Sequence, residues 1–232
     1  MVKICFNKIK FIFFDFDGVI ADTEWLHFNS FNEVLKKYKI KISKKEYFGK
    51  YMACDDKGCF KDVFFDKKRV YLSGKEIRCL ISEKTKILMS EIKKNIKYYP
   101  DTVEFIQKVK KFFPDIRFGI VSGALRKEIK YILTRLKLSR YFSFIISAED
   151  VKNGKPNPEP FIKAIAVAKK FFNGRLSAEE VIVVEDSING LKSSKKLGFN
   201  LIAVAHTYPG KKLNKIGGAI IVVKKMTDIS FN

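Results

Sequence analysis

Short apolar runs alternate along the chain with longer segments in which apolar residues recur every three or four positions. The runs are four to six residues long and rich in Ile, Val and Phe: 9–14, 116–121, 142–147, 181–184, 201–205 and 219–223. The amphipathic segments between them are 101–113, 124–136, 159–172 and 187–197. Such runs are typical of buried strands, and the longer segments are typical of crossover helices. The pattern therefore predicts strands and helices alternating around a parallel sheet.

About 100 residues separate the first run from the second, although a crossover connection needs only about 10 to 12. The intervening stretch has helical periodicity in two apolar stripes: Trp25, Leu26, Phe28, Phe31, Val34, Leu35 and Tyr38, then Ile87, Leu88, Ile92 and Ile96. We therefore expect an α/β fold: a Rossmann-like parallel sheet core with helices on both faces and an inserted all-helical cap domain. The core domain is expected over 1–24 and 98–232, and the cap domain over 25–97.

Polar residues stand directly after several of the apolar runs, and one precedes the helical segment 159–172. They are Asp15, Asp17, Ser122, Gly123, Lys155, Glu185 and Asp186. In an open parallel sheet, ligands bind beyond the carboxyl ends of the strands. We therefore expect these residues to meet at one edge of the sheet.

The expected set of side chains suits phosphate chemistry with a magnesium ion. Carboxylates bind a hard divalent cation, whereas a lysine, a hydroxyl group and backbone amides bind an anion. The carboxylate of Asp15 can attack phosphorus and form an aspartyl-phosphate, which divides one displacement into two. Asp17 can then protonate the leaving oxygen and later deprotonate water. Magnesium-dependent phosphoryl transfer is the reaction that uses every member of the set.

Four segments in this order resemble the motifs of the haloacid dehalogenase superfamily. They are 15–23 (DFDGVIADT), 121–123 (VSG), 154–156 (GKP) and 184–187 (VEDS) with Gly190. The resemblance covers 1–24 and about 98–205, and the insert stands where the family has its helical C1-type cap. Within the superfamily the chain is similar to the branch of beta-phosphoglucomutase and phosphoglycolate phosphatase.

The resemblance implies roles for the acidic residues. Asp15 would be the nucleophile and a Mg²⁺ ligand, and Asp17 the general acid and base and a ligand through its backbone carbonyl. Asp186 would be a second carboxylate ligand. Glu185 would bind the metal directly or through water, or lie in the outer shell, and these interpretations stay open. Asp22 is interpreted as the cap of a helix that begins near Thr23.

The resemblance also implies a phosphate-binding group. Ser122, the amide of Gly123 and Lys155 would hold the transferring phosphoryl oxygens, and Lys155 would offset the charge of the carboxylates. Ser122 can also cap a helix starting near Ala124, and the two roles are compatible because a helix N-terminus favours anions.

Outside these motifs, three features stay open. His27 is a candidate substrate-binding residue, because residues 22–28 (DTEWLHF) match the beta-phosphoglucomutase pattern Asp-Thr-x-x-x-His-Phe, but helix packing is the alternative. The cap stretch 54–60 is interpreted as a turn or a substrate-specificity loop. His206 follows the fifth run and is interpreted as the end of that strand.

Asp17 narrows the reaction to phosphate esters. A dehalogenase needs no acid for its halide, and P-type ATPases carry Thr at this position. The region 49–60 lacks the Arg found in beta-phosphoglucomutases, which favours hydrolysis, whereas His27 favours a mutase. We therefore expect a Mg²⁺-dependent phosphatase acting on a small phosphorylated metabolite, with a sugar-phosphate mutase as the alternative.

The charge leaves a third hypothesis, of another class. The chain carries 46 basic and 25 acidic residues, a net charge of +21. Dense positive charge favours nucleic acid, so a nucleic-acid-binding protein or a nucleic-acid-end phosphatase is an alternative. The lysines are scattered, however, and only seven basic residues are Arg, which is typical of a lysine-biased composition.

Cysteine usage and hydropathy predict the compartment. The four cysteines form no C-x-x-C pair, so neither zinc nor a disulfide framework is indicated, and a reducing cytosol fits best. The apolar run 11–14 ends at Asp15, so it is not a signal peptide, and no apolar stretch approaches the ~20 residues of a membrane span. We expect a cytoplasmic monomer or weak oligomer that does not bind membranes.

Overall fold

The chain forms two compact units, and the computed structural model describes residues 2–217 and 220–231 of it. The core unit comprises Met1–Asp22 and Tyr98–Asn232, and the helical unit comprises Thr23–Lys97. Each unit has a hydrophobic core of its own. Among the described residues, no helix is both long enough and apolar enough to cross a membrane.

The core unit is built on a parallel sheet, as the alternating pattern predicts. Its strands are β1 (Val2–Ile4), β2 (Phe11–Phe14), β3 (Arg117–Val121), β4 (Phe142–Ile146), β5 (Val181–Glu185), β6 (Asn200–Val204), β7 (Ile220–Val223) and β8 (Ile229–Phe231). Six of them form one sheet in the order β4-β3-β2-β5-β6-β7. The α/β fold class is therefore confirmed. The run predicted over 219–223 is seen as β7, and Ala219 itself lies outside the described residues.

The helices divide between the two units. The helical unit contains α1 (Glu24–Lys36), α2 (Lys44–Gly49), α3 (Asp56–Lys68) and α4 (Gly74–Lys94). The core unit contains α5 (Pro100–Phe112), α6 (Arg126–Arg135), α7 (Glu159–Lys170), α8 (Ile188–Lys195) and the short α9 (Gly210–Asn214).

Successive residues of β2 pack against helices on opposite faces of the sheet. Phe13 belongs to a buried cluster with Phe161 and Ala164 of α7 and Leu191 of α8. Phe14 points to the other face, where its ring lies 6.3 Å from that of Phe105 in α5. Strands β2 and β5 are buried at every position, which explains why they read as continuous apolar runs rather than alternating ones.

A small parallel sheet joins the two ends of the chain and was not predicted. Strand β1 pairs with β8, with Val2 opposite Ile229 and Ile4 opposite Phe231. Each strand has only three residues, which is too short for an apolar pattern to mark.

The helical unit surrounds a core of aromatic and aliphatic side chains. Phe31, Val34 and Leu35 of α1 pack with Phe60 of α3 and Leu80 of α4. The ends of the stripe predicted in α1 depart from this core, because Trp25 and Tyr38 are 41% and 43% exposed.

Helix caps correct three expectations of local structure. Most of the stretch 54–60 is helical rather than a turn or a loop, because α3 begins at Asp56 and Asp55 caps it, with Oδ1 accepting the N–H of Gly58 at 2.7 Å. Helix α1 begins at Glu24 with Thr23 as the N-cap residue, so Asp22 does not cap it. Helix α6 begins at Arg126 with Leu125 in the N-cap position, so Ser122 does not cap it either.

Candidate active site

The first motif forms a tight loop at the carboxyl end of β2. Asp15 follows the strand, is 8% exposed, and donates its N–H to Val184 of β5 at 2.9 Å. The loop then folds back, because the N–H groups of Ile20 and Ala21 both donate to the carbonyl of Phe16 at 2.8 and 3.0 Å. The partly buried Asp17 lies on this loop, two residues beyond Asp15.

Gly18 is required at its position for a steric reason. Its φ is +76°, and a Cβ atom built on it would lie 1.9 Å from Oδ2 of Asp186 and 2.7 Å from Oγ1 of Thr207. A side chain at position 18 would therefore displace the carboxylate of Asp186. The glycine lets the loop lie directly against the carboxyl end of β5.

Three buried carboxylates converge beside this loop. Oxygen atoms of Asp15, Glu185 and Asp186 lie within 4.8 Å of one another, and the three residues are 8%, 0% and 3% exposed. Three like charges removed from water repel one another strongly unless cations offset them. Nearby positive charge is therefore needed to stabilise the cluster in its ionised form.

Lys155 supplies part of that charge. Its Nζ lies 2.6 Å from Oε1 of Glu185, 3.1 Å from Oδ1 of Asp15 and 2.8 Å from the carbonyl oxygen of Val121. An ammonium group has three N–H donors, and these three acceptors match that number. Against one ammonium the three carboxylates still leave a surplus of two negative charges. Buried oxygen ligands with that surplus fit a hard divalent cation such as Mg²⁺.

Burial and the neighbouring charges shift the pKa values of Glu185 and Lys155. Burial and the negative charge of Asp15 raise the pKa of Glu185, and the ammonium of Lys155 opposes part of this rise. Burial alone would lower the pKa of Lys155, but attraction to Asp15 and Glu185 outweighs burial and raises it. Lys155 therefore stays protonated throughout the neutral range.

Glu185 is held on both oxygens by the core unit itself. Lys155 contacts its Oε1, and the hydroxyl of Ser187 donates to its Oε2 at 3.0 Å. Gly190 leaves room for the carboxylate, since a Cβ atom there would lie 2.0 Å from it. These contacts orient the side chain of Glu185 toward Lys155 as well as toward the other two acids.

The second motif follows β3 and offers a hydroxyl group and open space. Ser122 is 5% exposed, and its Oγ accepts the N–H of Ala124 at 3.1 Å, which leaves its O–H to donate elsewhere. Gly123 has no neighbouring atom within 4 Å of where a Cβ would lie. The bond from Lys155 to the Val121 carbonyl places the lysine beside the end of this strand.

His27 belongs to a different cluster, in the helical unit. Its Nδ1 lies 2.7 Å from Nζ of Lys84, and the same ammonium contacts the Asp56 carboxylate at 2.7 and 2.9 Å. Nζ of Lys84 also lies 4.8 Å from the ring centroid of Phe31. Because the ammonium only donates, Nδ1 of His27 accepts. Burial and the nearby Lys84 charge lower the pKa of His27 well below 6.5, so its ring is neutral.

Lys84 lies outside the sequence motifs, but its position in the helical pattern marks it. Lys84 is 0% exposed and lies on the buried face of α4, four residues from both Leu80 and Leu88. A lysine at a core position of an amphipathic helix is rarely fully buried unless its ammonium is paired with an opposite charge. Asp56, in the first turn of α3, is a carboxylate partner of Lys84.

Comparison with known proteins finds a family and relatives that match most of the chain. Residues 12–204 match the family described as haloacid dehalogenase-like hydrolase. A phosphorylated carbohydrates phosphatase of Thermotoga maritima is 26% identical over 216 residues, covering 92% of this chain and 93% of the relative. The pyrophosphatase PpaX of Bacillus mycoides is 25% identical over 222 residues, covering 96% of this chain and 95% of the relative.

Solved structures share the fold. CbbY from Rhodobacter sphaeroides in complex with xylulose-(1,5)bisphosphate superposes with a TM-score of 0.80 at 20% identity, covering 96% of this chain and 97% of that one. A beta-phosphoglucomutase from Clostridium difficile gives 0.79 at 24% identity, covering 95% and 92%.

Proposed function

The chain belongs to the haloacid dehalogenase-like hydrolase family and is an enzyme, and on this premise we propose that it is a Mg²⁺-dependent phosphatase of a small phosphorylated metabolite. The observation that carries the proposal is the buried cluster of Asp15, Glu185 and Asp186, which Lys155 neutralises only in part.

The reaction has two steps that share the same residues. The Asp15 carboxylate attacks phosphorus, the bond from phosphorus to the ester oxygen breaks, and Asp17 donates a proton to the leaving oxygen. Asp17 then takes a proton from water, which attacks the aspartyl-phosphate, releases inorganic phosphate and restores the Asp15 carboxylate. Both steps conserve atoms and protons without a further reactant.

The remaining residues hold charge in place. Mg²⁺, bound by the Asp15 and Asp186 carboxylates and the Asp17 carbonyl, would supply positive charge to the phosphoryl oxygens. Ser122 and the amide of Gly123 would hold those oxygens by hydrogen bonds. Lys155 would add charge, and Glu185 would hold Lys155 in position from the outer shell.

The relatives suggest where to look for the substrate. One is named a phosphatase of phosphorylated carbohydrates and another a pyrophosphatase. Sugar phosphates and pyrophosphate are therefore the first compounds to test, together with nucleotides and phosphoglycolate.

The test is phosphate release by the purified chain across that panel with added Mg²⁺. We expect at least one substrate to be hydrolysed, a chelator to abolish the activity, and Asp15→Asn to lose it because an amide is a poor nucleophile. Asp115→Asn is a matched control, because Asp115 is an exposed acid away from the cluster. Retained activity in Asp15→Asn, or in the chelator, would show that the mechanism is wrong.

A sugar-phosphate mutase is the second candidate, favoured by the match of residues 22–28 to beta-phosphoglucomutases. In a mutase a sugar hydroxyl, rather than water, takes the phosphoryl group from Asp15. Phosphorus NMR of beta-glucose 1-phosphate with a catalytic amount of bisphosphate separates the two. Appearance of glucose 6-phosphate supports the mutase, whereas inorganic phosphate alone excludes it.

A further inference from the structure

His206 lies just beyond β6 and is fixed on three sides. Its side chain is 7% exposed, and its ring stacks on that of Tyr99 with centroids 3.8 Å apart and planes 6° apart. Its Nδ1 lies 2.9 Å from the carbonyl oxygen of Gly18, and its Nε2 lies 3.3 Å from Oδ2 of Asp101. The residue thus does more than end a strand.

The hydrogen bond to Gly18 has a fixed direction. A carbonyl oxygen only accepts, so Nδ1 of His206 carries the hydrogen and donates it. Asp101 is itself anchored, because its Oδ2 accepts the N–H of Met226 at 2.7 Å. The ring therefore has one orientation, set by the start of α5 and by the chain near β8.

The peptide of Gly18 is the point at which this network meets the acidic cluster. Its N–H donates to Ala21 at 2.8 Å, and its Cα lies against the Asp186 carboxylate, with no space for a Cβ. The Gly18 peptide is therefore held between the His206 donor and Asp186. The carbonyl of Asp17 belongs to the same peptide group as the Gly18 N–H, one peptide group before the carbonyl that His206 contacts.

We infer that His206 is a positioning residue for the cation site: by holding the Gly18 carbonyl, it fixes the Asp17 carbonyl and the Asp186 carboxylate at the distance a cation needs. The inference rests on the proposed function, because it takes these two groups as ligands. Groups that orient metal ligands from behind influence metal affinity strongly, since a ligand that can swing away binds more weakly.

Direct metal binding tests the inference without substrate. Mn²⁺ is the probe, and its free fraction is measured by electron paramagnetic resonance in the wild-type protein, His206→Asn and His206→Gln. An Asn amide places its donor where Nδ1 stands, whereas a Gln amide places it near Nε2. We expect the Kd for Mn²⁺ to rise about 10-fold or more in His206→Gln and by clearly less in His206→Asn.

Two controls separate positioning from folding. Asp115→Asn changes an exposed acid of the core unit away from the cluster, and leaves the Mn²⁺ affinity unchanged. Thermal unfolding without metal checks that the variants fold alike. If His206→Gln does not fold, Asp101→Ala replaces it, because it releases the ring without altering His206, and it too raises the Kd.

The outcomes divide clearly. Equal Mn²⁺ affinity in wild type, His206→Asn and His206→Gln overturns only the role of His206 and not the proposed function. Equal weakening in both variants has the same meaning. So does an unchanged Kd in Asp101→Ala, when that variant is used. A wild-type protein that binds no Mn²⁺ overturns both this inference and the metal in the proposed function. Retained Mn²⁺ binding without phosphatase activity overturns only the proposed reaction.

Discussion

Lys155 in the core unit and Lys84 in the helical unit both place an ammonium group among buried or partly buried partners, but the charges around them differ. Lys155 contacts Asp15 and Glu185, and Asp186 adds a third carboxylate to that cluster. Lys84 contacts the carboxylate of Asp56 and the neutral ring of His27. The first cluster has surplus negative charge, whereas Lys84 and Asp56 form a pair of opposite charges.

This difference separates a site that needs a further positive charge from an ion pair of opposite charges. Unbalanced buried charge is costly, and it persists where a ligand or a reaction makes use of it. A balanced pair needs nothing further, and its removal is felt as stability. Replacing each lysine in turn is the direct way to break the comparison.

The largest effect is expected from Lys84→Met, on stability. The change leaves the Asp56 carboxylate partly buried without its cation, and breaking a buried pair costs about 3–5 kcal/mol. Urea unfolding followed by tryptophan fluorescence measures this, because Trp25 is the single tryptophan and lies in the helical unit. The free energy of unfolding of that unit should fall by this amount.

Lys86→Met is the matched control, since Lys86 is exposed on the same helix and its replacement should change stability by less than about 0.5 kcal/mol. The double variant Lys84→Met with Asp56→Leu removes both charges and should recover much of the loss. If Lys84→Met were no more destabilised than Lys86→Met, the cluster would not be a stabilising pair.

The next effect is expected from Lys155→Met, on catalysis. Removing a group that stabilises developing charge in a buried site lowers kcat by about 100- to 1,000-fold. Steady-state phosphate release with the best substrate of the panel measures it, while circular dichroism checks that the variant is folded. Mg²⁺ should be saturating, so that weaker metal binding does not contribute.

Lys152→Met is the control here, because the Lys152 side chain is exposed three residues before Lys155. It should keep wild-type kcat. A folded Lys155→Met protein whose kcat stays within about tenfold of wild type would place Lys155 with Lys84, as a structural cation rather than a catalytic one.

The alternating apolar runs predicted the sheet well because β2, β3 and β5 are buried on both faces. The predicted site residues are marked by a charge or a glycine that ends such a run. Asp15 ends the run before it, and Glu185 is the last residue of β5. Parallel topology then brings the carboxyl ends of the strands together. The meeting of Asp15, Glu185 and Asp186 could therefore be predicted from the strands alone, without knowledge of contacts between distant residues.

Other features depend on pairs that no local pattern encodes. Lys84 lies 57 residues from His27 and 28 from Asp56, and His206 lies 188 residues from Gly18. Each partner alone is consistent with an ordinary surface residue or strand end. Only the packing of the helices and loops selects these pairs, so sequence reasoning left His27 between two interpretations.

The smallest expected effect sharpens the comparison through pH. His27 is neutral in the folded protein because burial and Lys84 lower its pKa well below 6.5, whereas the unfolded chain binds a proton near that value. Lowering the pH from 7.5 to 5.5 therefore favours unfolding of the helical unit. The contribution of His27 to this loss of stability is about 1.4 kcal/mol, because the final pH lies one unit below the pKa at which His27 takes up a proton in the unfolded chain.

His27→Asn isolates this contribution, because an Asn side-chain oxygen can still accept from Lys84 but does not titrate. Urea unfolding followed by Trp25 fluorescence at both pH values should show a smaller loss of stability in the variant than in the wild type. The difference between the two losses is the measurement, since all other titrating groups contribute equally to both. Equal losses would mean that His27 is protonated in the folded protein as readily as in the unfolded chain. A protonated His27 would then add positive charge beside the Lys84–Asp56 pair, and the contrast with the acidic cluster around Lys155 would be one of sign.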